Sequence, residues 1–512
     1  MKLKSLSALT TIVIASSGLT PTTEEPVTFY EDIQPIVFEN CTSCHRAGEI
    51  GPFPLTTYAE VSKKAKTIRI ATETRYMPPW HADTNYREFV GVRRLTDKQI
   101  TLFSDWIDQG KPEGNPDNAV PTPQYPQGWR LGEPDLIVTM SRAFEIPADG
   151  PDLYRKFVLP LNFPQDRWVK AVELHSTAPT ALHHSRYALD PTRQAVQLDG
   201  ADGQIGFEGM AINQDIPLGD YVPGITPHKL PGDLARLIPK KTDLVLSSHF
   251  HPTGKVEHEQ TSVGLYFADK PPSRNIHVID LPPNLGRFAG IDIPAGKSDF
   301  KVVEKFTIPV DSEGISVHGH AHFLGKTMKM TALFPDGTEE VVLNIPEWDL
   351  DWQDTYYFKD QFLLPAGTVL TSTLIYDNSA NNPNNPTSPP IRVKFGRSAN
   401  DEMGSIVLLV VPTEPSQKNG TTKIEQRLYA QALAKFAKNL SRSQSLNELS
   451  QLMDRLDKNS DGALNQGELP ARLRDFLLSS FDKDADKKLN SEESKALFER
   501  LVELSKEDSK AN

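Results

Sequence analysis

Val317-His318-Gly319-His320-Ala321-His322-Phe323-Leu324-Gly325-Lys326 alternates imidazoles with small or apolar residues. Side chains two apart on a strand share a face, so His320 and His322 can grip one metal ion together, with His318 adjacent. The pattern recurs upstream in Ser248-His249-Phe250-His251-Pro252-Thr253-Gly254-Lys255, where His249 and His251 share a face. A third group, Leu182-His183-His184-Ser185, sets two imidazoles side by side. On a flat strand they would point to opposite faces, so joint ligation needs a twist or a bulge. Neutral imidazole suits copper, zinc, iron and nickel, and spacing does not choose among them. Three such groups in one β-rich region are more than scattered surface histidines.

Working outward, the runs 157–159, 244–246, 302–308, 368–376 and 406–411 are short and β-rich, and Pro, Gly, Asp and Asn separate them. They predict two all-β domains of jelly-roll type, 135–290 and 291–415, with a seam near residue 290.

The stretch before them is different. Thr96-Asp97-Lys98-Gln99 reads as a capping box. Ile100, Phe103, Trp106 and Ile107 follow at helical spacing, and Gly110 ends the run. Residues 27–115 are therefore expected to be a small α-helical domain, with 116–134 as a linker rich in Pro, Gly and Asn. This domain holds both cysteines of the chain, in Cys41-Thr42-Ser43-Cys44-His45. CxxCH is the attachment signature of haem c: two thioethers to the porphyrin and His45 as one axial iron ligand. Zinc would want four ligands, and no second cysteine pair exists. Met77, in Tyr76-Met77-Pro78-Pro79-Trp80-His81, is the expected second axial ligand, with His81 as its competitor. Two filled axial positions suit electron transfer.

Haem attachment of this kind is made outside the cytoplasm. In agreement, Lys2 and Lys4, a moderately apolar run and Ala15-Ser16-Ser17 read as an export signal over 1–19, which predicts a periplasmic or secreted protein. No other run reaches the length of a membrane span. A net charge of −12 argues against nucleic acid as a partner.

After a connecting helix expected at 422–440, two acidic loops lie within 445–507. Asp457, Asn459, Asp461, the Ala463 carbonyl and Glu468 occupy calcium-ligand positions of an EF-hand loop, with Gly462 at the sharp turn. The second loop offers Asp482, Asp484, Asp486, the Lys488 carbonyl, Asn490 and Glu493, but Lys487 replaces the turn glycine. The pair is expected to be an α-helical EF-hand unit.

The order of four motifs resembles one family. Leu182-His183-His184 with Tyr187-Ala188-Leu189, then His249-Phe250-x-Pro-Thr-Gly-Lys, then His320-x-His322-x-Leu324-Gly325-Lys326, then Asp401-Glu402-Met403 are similar to the copper type II ascorbate-dependent monooxygenases, which include the peptidylglycine and dopamine β-monooxygenases. The resemblance covers roughly 135–415. It implies two copper ions on two jelly rolls: His183, His184 and His249 holding the electron-transfer copper, and His320, His322 and Met403 forming the catalytic, oxygen-activating copper site. A thioether favours Cu(I), the state that must meet oxygen. The family's animal members are stapled by disulfides, for which this chain has no cysteines; His251 and His318 are not required by the pattern.

The implied activity is hydroxylation of an activated C–H bond of a small-molecule or peptide-like substrate with O2. Ascorbate, or a periplasmic donor acting through the haem, would supply electrons. The competing expectations are a non-catalytic electron-transfer or copper-binding protein on the same scaffold, and a docking module with structural metals.

Overall fold

The structure is a computed structural model that describes residues 26–125, 128–209, 216–222, 224–287, 289–396, 398 and 400–414, and, further on, 423–424, 427–428, 431, 457, 459, 461–469, 477–478, 481–497 and 499. The expected export signal and most of the 422–440 helix lie outside the described residues. The chain is mostly β-sheet with few helices. No described helix is long and apolar enough to cross a membrane.

Two pairs of four-stranded antiparallel sheets dominate. In the first pair, one sheet runs Leu153–Pro160, Asp243–Phe250, Leu182–Asp190, Ile216–Tyr221. The other runs Leu136–Thr139, Ser262–Phe267, Arg167–His175, Arg236–Ile238. Phe157, Leu189, Leu244 and Leu246 from one meet Val169, Leu174, Val263 and Leu265 from the other in a single cluster. Residues two apart, such as Leu244 and Leu246 or Val263 and Leu265, supply these inner faces, and the arrangement is compatible with a β-sandwich.

The second pair repeats the plan. His277–Leu281, Gly404–Pro412, Ser312–Ala321 and Thr355–Leu364 form one sheet; Phe300–Thr307, Val369–Tyr376, Gly325–Leu333 and Glu339–Ile345 form the other. Their inner faces share a second core. His277–Leu281 already pairs with Gly404–Pro412, so this unit begins ahead of the seam expected near residue 290.

In both units the histidine-bearing strands lie in the middle of a sheet. Asp243–Phe250 and Leu182–Asp190 are inner neighbours, as are Gly404–Pro412 and Ser312–Ala321. A strand hydrogen-bonded on both edges has little freedom to shift, which gives the imidazoles rigid mounts.

Helices Gln34–Asn40, Tyr58–Glu73 and Asp97–Asp108 occupy the N-terminal region. The Thr96/Gln99 capping box forms, and Thr57 and Glu60 make a second one. Phe103 and Trp106 are fully buried, with Phe29 against the Trp106 ring at 6.1 Å. The segment after Met77 leaves this bundle. Trp80, Ala82 and Phe89 are buried in the core of the second β unit. Val90 N donates to Tyr357 O at 2.8 Å, Lys359 N to Glu88 O at 3.2 Å, and Asp83 N to Asn344 O at 2.8 Å. The segment thus covers the open edge of strand Thr355–Leu364, which would otherwise expose unpaired backbone groups. Burial of Trp80 and Phe89 contributes about 1.5–3 kcal/mol each.

Candidate metal centres

His184 lies directly across from His249, while Leu182 pairs with Phe250, so the register slips at His183. The slip is the bulge that adjacent histidines require if they are to face one point. The three rings do converge. Nδ1 of His184 is 3.2 Å from Nδ1 of His183 and 3.4 Å from Nδ1 of His249. Bonds of about 2.0 Å in a trigonal or tetrahedral array space ligand nitrogens about 3.3–3.5 Å apart. The trio therefore fits a transition-metal ion.

Burial, reinforced by the neighbouring imidazoles, pushes His183 down to about 3 and His184 well below its usual range. Burial pushes His249 down to about 4, against the pull of Asp152. All three are neutral donors at neutral pH. Between pH 6.5 and those folded values, the unfolded chain takes up protons that the folded trio refuses. The metal-free protein is therefore expected to keep its full stability above pH about 6.5 and to lose it progressively down to pH about 3–4. Thermal scans of chelator-stripped protein check this; a flat profile over that window would contradict it.

Asp152 fixes the orientation. His249 Nε2–H donates to its Oδ2 at 3.0 Å, which leaves Nδ1 for the ion, and His251 Nδ1–H donates to its Oδ1 at 2.6 Å. Tyr154 stacks on the His249 ring at 4.1 Å. A carboxylate behind a ligating imidazole fixes its tautomer and raises its basicity. Asp152→Ala is expected to weaken transition-metal binding at the trio by about 10–100-fold in a chelator competition titration.

At the second centre, His320 Nδ1–H donates to Gln353 Oε1 at 2.5 Å, and His322 Nδ1–H donates to the Asp401 carbonyl at 2.9 Å. Both Nε2 atoms are left as donors for an ion. The rings stand at 89°, 5.4 Å apart. Burial pushes His320 down to about 3 and lowers His322. The ladder ends with Ala321 opposite Gly404, one residue short of His322 and of buried Met403.

Glu402, fully buried, ties these segments together. Its Oε1 accepts from His322 N at 2.7 Å and Met403 N at 2.8 Å, and its Oε2 from Leu324 N at 3.0 Å. Burial pushes this carboxyl up to about 8 against the pull of the three N–H groups. His318 has its Nδ1 on the Asp354 carbonyl at 3.1 Å.

One loop reaches both centres. From the turn after Glu339–Ile345, Asp351 Oδ1 comes 3.5 Å from His183 Nε2, and Gln353 holds His320. A charge on His320 would also act on His184. A shallow cleft opens beside His322, walled by Phe323, Trp348, Asp349, Leu350 and Asp351. Asp152, Gln353, Asp351 and Glu402 were not expected as site residues from sequence. Only Glu402 sits in a recognisable stretch, next to Met403.

Cys41, Cys44 and His45 share one turn: Cys44 N and His45 N both donate to Cys41 O, at 3.1 and 2.9 Å. His45 Nδ1–H donates to Phe53 O at 3.0 Å, which leaves Nε2 for an axial bond. Burial pushes the Cys41 thiol up to about 12. Among the described residues, the clusters of three or more metal-type side chains include neither cysteine, so the zinc alternative finds no ligand set. Two glycines pack closely against this turn. A Cβ at Gly51 would lie 2.8 Å from His45 Nδ1, and one at Gly224 would lie 3.0 Å from Cys44 Sγ. These features fit a covalent porphyrin. Met77 is half-buried, its N–H on the Ala71 carbonyl at 2.9 Å. The Nε2 of His81 is buried and has no hydrogen-bond partner.

The acidic loops near the C-terminus pair with each other, Leu464 opposite Leu489 and Asn465 opposite Lys488. Gly462 N donates to Asp457 Oδ2 at 2.8 Å, and Lys487 N to Asp482 Oδ2 at 2.9 Å. Asp482, Asp484 and Glu493 bring carboxylate oxygens within 4.8 Å of one another. Lys487 takes φ of +66° where Gly462 takes +77°, so the second loop carries a side chain in a left-handed position.

No family model and no curated protein matches this chain. Among solved structures, the major capsid protein P2 of bacteriophage PM2 is similar at 8% identity over 56% of this chain and 99% of that one, with a TM-score of 0.22. PNGase F, a glycosylasparaginase from Flavobacterium meningosepticum, is similar at 10% identity over 55% and 97%, with a TM-score of 0.25. The VP2 subviral particle of infectious bursal disease virus is similar at 9% identity over 55% and 72%, with a TM-score of 0.17. Likenesses at these scores carry no argument about what this chain does.

Proposed function

We propose that this chain is an exported, copper-dependent monooxygenase of the type II, ascorbate-dependent kind, with a cytochrome c module at its N-terminus, two jelly-roll copper domains and a C-terminal EF-hand pair that binds calcium. The observation that carries the proposal is the trio of Nδ1 atoms at 3.2 and 3.4 Å, set by a one-residue bulge and backed by Asp152. When bound, the haem iron and the two copper ions supply electron delivery and oxygen activation for R–H + O2 + 2 electrons + 2 H⁺ → R–OH + H2O.

The protein's own residues hold and shield. His183, His184 and His249 hold the first ion; His320, His322 and Met403 hold the second. Gln353 and the Asp401 carbonyl fix the rings that face oxygen, and Trp348, Leu350 and Phe323 narrow access of water from the cleft. Cys41, Cys44, His45 and Met77 hold the haem. Its attachment at Cys44 would lie against Gly224, in the loop after strand Ile216–Tyr221. That strand pairs Tyr221 with Ser185, the residue after His184. The contact of the Cys44 turn with this part of the first β unit supports the haem, when bound, as the electron donor.

The test is anaerobic reduction of the haem in the copper-loaded full chain, followed by EPR of the copper. Loss of the Cu(II) signal is expected. Cu(II) that persists beside fully reduced haem would remove the relay from the proposal.

A further inference from the structure

A second cluster of metal-type side chains adjoins the trio. His183, His251 and Asp351 each bring a ligand atom within 4.8 Å of the others. His183 faces the trio with Nδ1 and turns Nε2 outward, 3.5 Å from Asp351 Oδ1. That separation again matches ligands on one ion with bonds of about 2.0–2.2 Å. The His251 ring lies 4.5 Å from the His183 ring at 74°. Its Nδ1–H is committed to Asp152 Oδ1, so its Nε2 is the donor left over. Asp152 thus orients two imidazoles at once, one through each oxygen: His249 toward the trio and His251 away from it. Second-sphere carboxylates on histidine are the usual companions of ligation.

We propose that His183, His251 and Asp351 form a third metal subsite, for a copper or zinc dication, joined to the trio centre through the His183 ring. Nitrogen and carboxylate donors of this mix suit both ions. With both ring nitrogens metal-bound, His183 releases its remaining N–H proton to solvent. The side chains of His251 and Asp351 are 41% and 49% exposed, so ion and proton both have a way out. The subsite therefore exchanges with solution more readily than the buried trio. Its ligands come from both β units, Asp351 from the second and the two histidines from the first, so the ion also clamps the units together across the cleft. The subsite rests on the two-centre reading only in sharing His183.

The test is a metal count by mass spectrometry on the full chain, loaded with copper alone, zinc alone or both, then desalted. Three ions of copper plus zinc per chain are expected in the wild type and two in each of His251→Ala and Asp351→Asn. Both substitutions are at exposed positions outside the trio. EPR separates the sources. Two Cu(II) ions bridged by one imidazolate couple their spins, so part of the wild-type copper-only signal is expected to be missing. It is expected to reappear in either variant, or when zinc fills the outer position. An equal count in wild type and both variants overturns the third subsite while leaving the two copper centres standing. A wild-type count below two overturns the two-centre reading and the subsite with it.

Discussion

Replacing Glu402 with leucine is expected to destabilise the second β unit by about 3–5 kcal/mol and to disorganise the His320–His322 centre. The side chain is fully buried, and three backbone N–H groups converge on it from His322, Leu324 and Met403. An apolar replacement leaves all three donors buried without acceptors, at about 1–3 kcal/mol each. Part of that loss is offset because burial already disfavours the charged carboxylate, as its upward shift to about 8 indicates. Glutamine keeps one oxygen acceptor and should fall between. Urea unfolding followed by tryptophan fluorescence reads the difference, since Trp348 lies in the same core. A loss below about 1 kcal/mol for the leucine variant would mean the three N–H groups find other partners.

If the proposed monooxygenase activity is this chain's, substituting His320 with alanine is expected to lower oxygen-dependent turnover by about 10³-fold or more, equal to about 4 kcal/mol at the transition state. His320 is half-buried, neutral, and aimed by Gln353. His318, two residues away, has its Nδ1 on the Asp354 carbonyl. The haem spectrum and the copper at the trio should be unchanged, which distinguishes loss of one centre from general misfolding. Gln353→Ala, which leaves the ligand but frees its ring, should cost only about 10–100-fold. Equal losses in the two variants would assign His320 a structural role instead.

The β class of the central region was legible because short apolar, β-branched runs bounded by turn residues are a local signal: 244–246 and 406–411 lie inside observed strands. The Asp97–Asp108 helix was legible from its capping box for the same reason. Single-sequence reasoning identified the histidines but not how they meet. The need for a bulge at His183–His184 could be stated, but its position depends on the pairing of Leu182 with Phe250. Asp152 lies 97 residues from His249, and Gln353 lies 33 from His320. No local signal marks either, since an orienting hydrogen bond needs only one oxygen in the right place. Residues 80–90 read as part of a helical domain by position, yet Trp80 and Phe89 bury more apolar surface on the edge of a neighbouring sheet than a small bundle offers. The seam was set too late because His277–Leu281 is a short strand whose partner lies far along the chain.

Copper K-edge absorption of the reduced, copper-loaded full chain addresses the central claim most directly. Copper without sulfur neighbours is expected beside one copper with an added sulfur shell, and that shell is expected to disappear in Met403→Ala. Failure to bind copper, or a spectrum without sulfur in the wild type, would contradict the assignment of Met403 and with it the oxygen-activating centre.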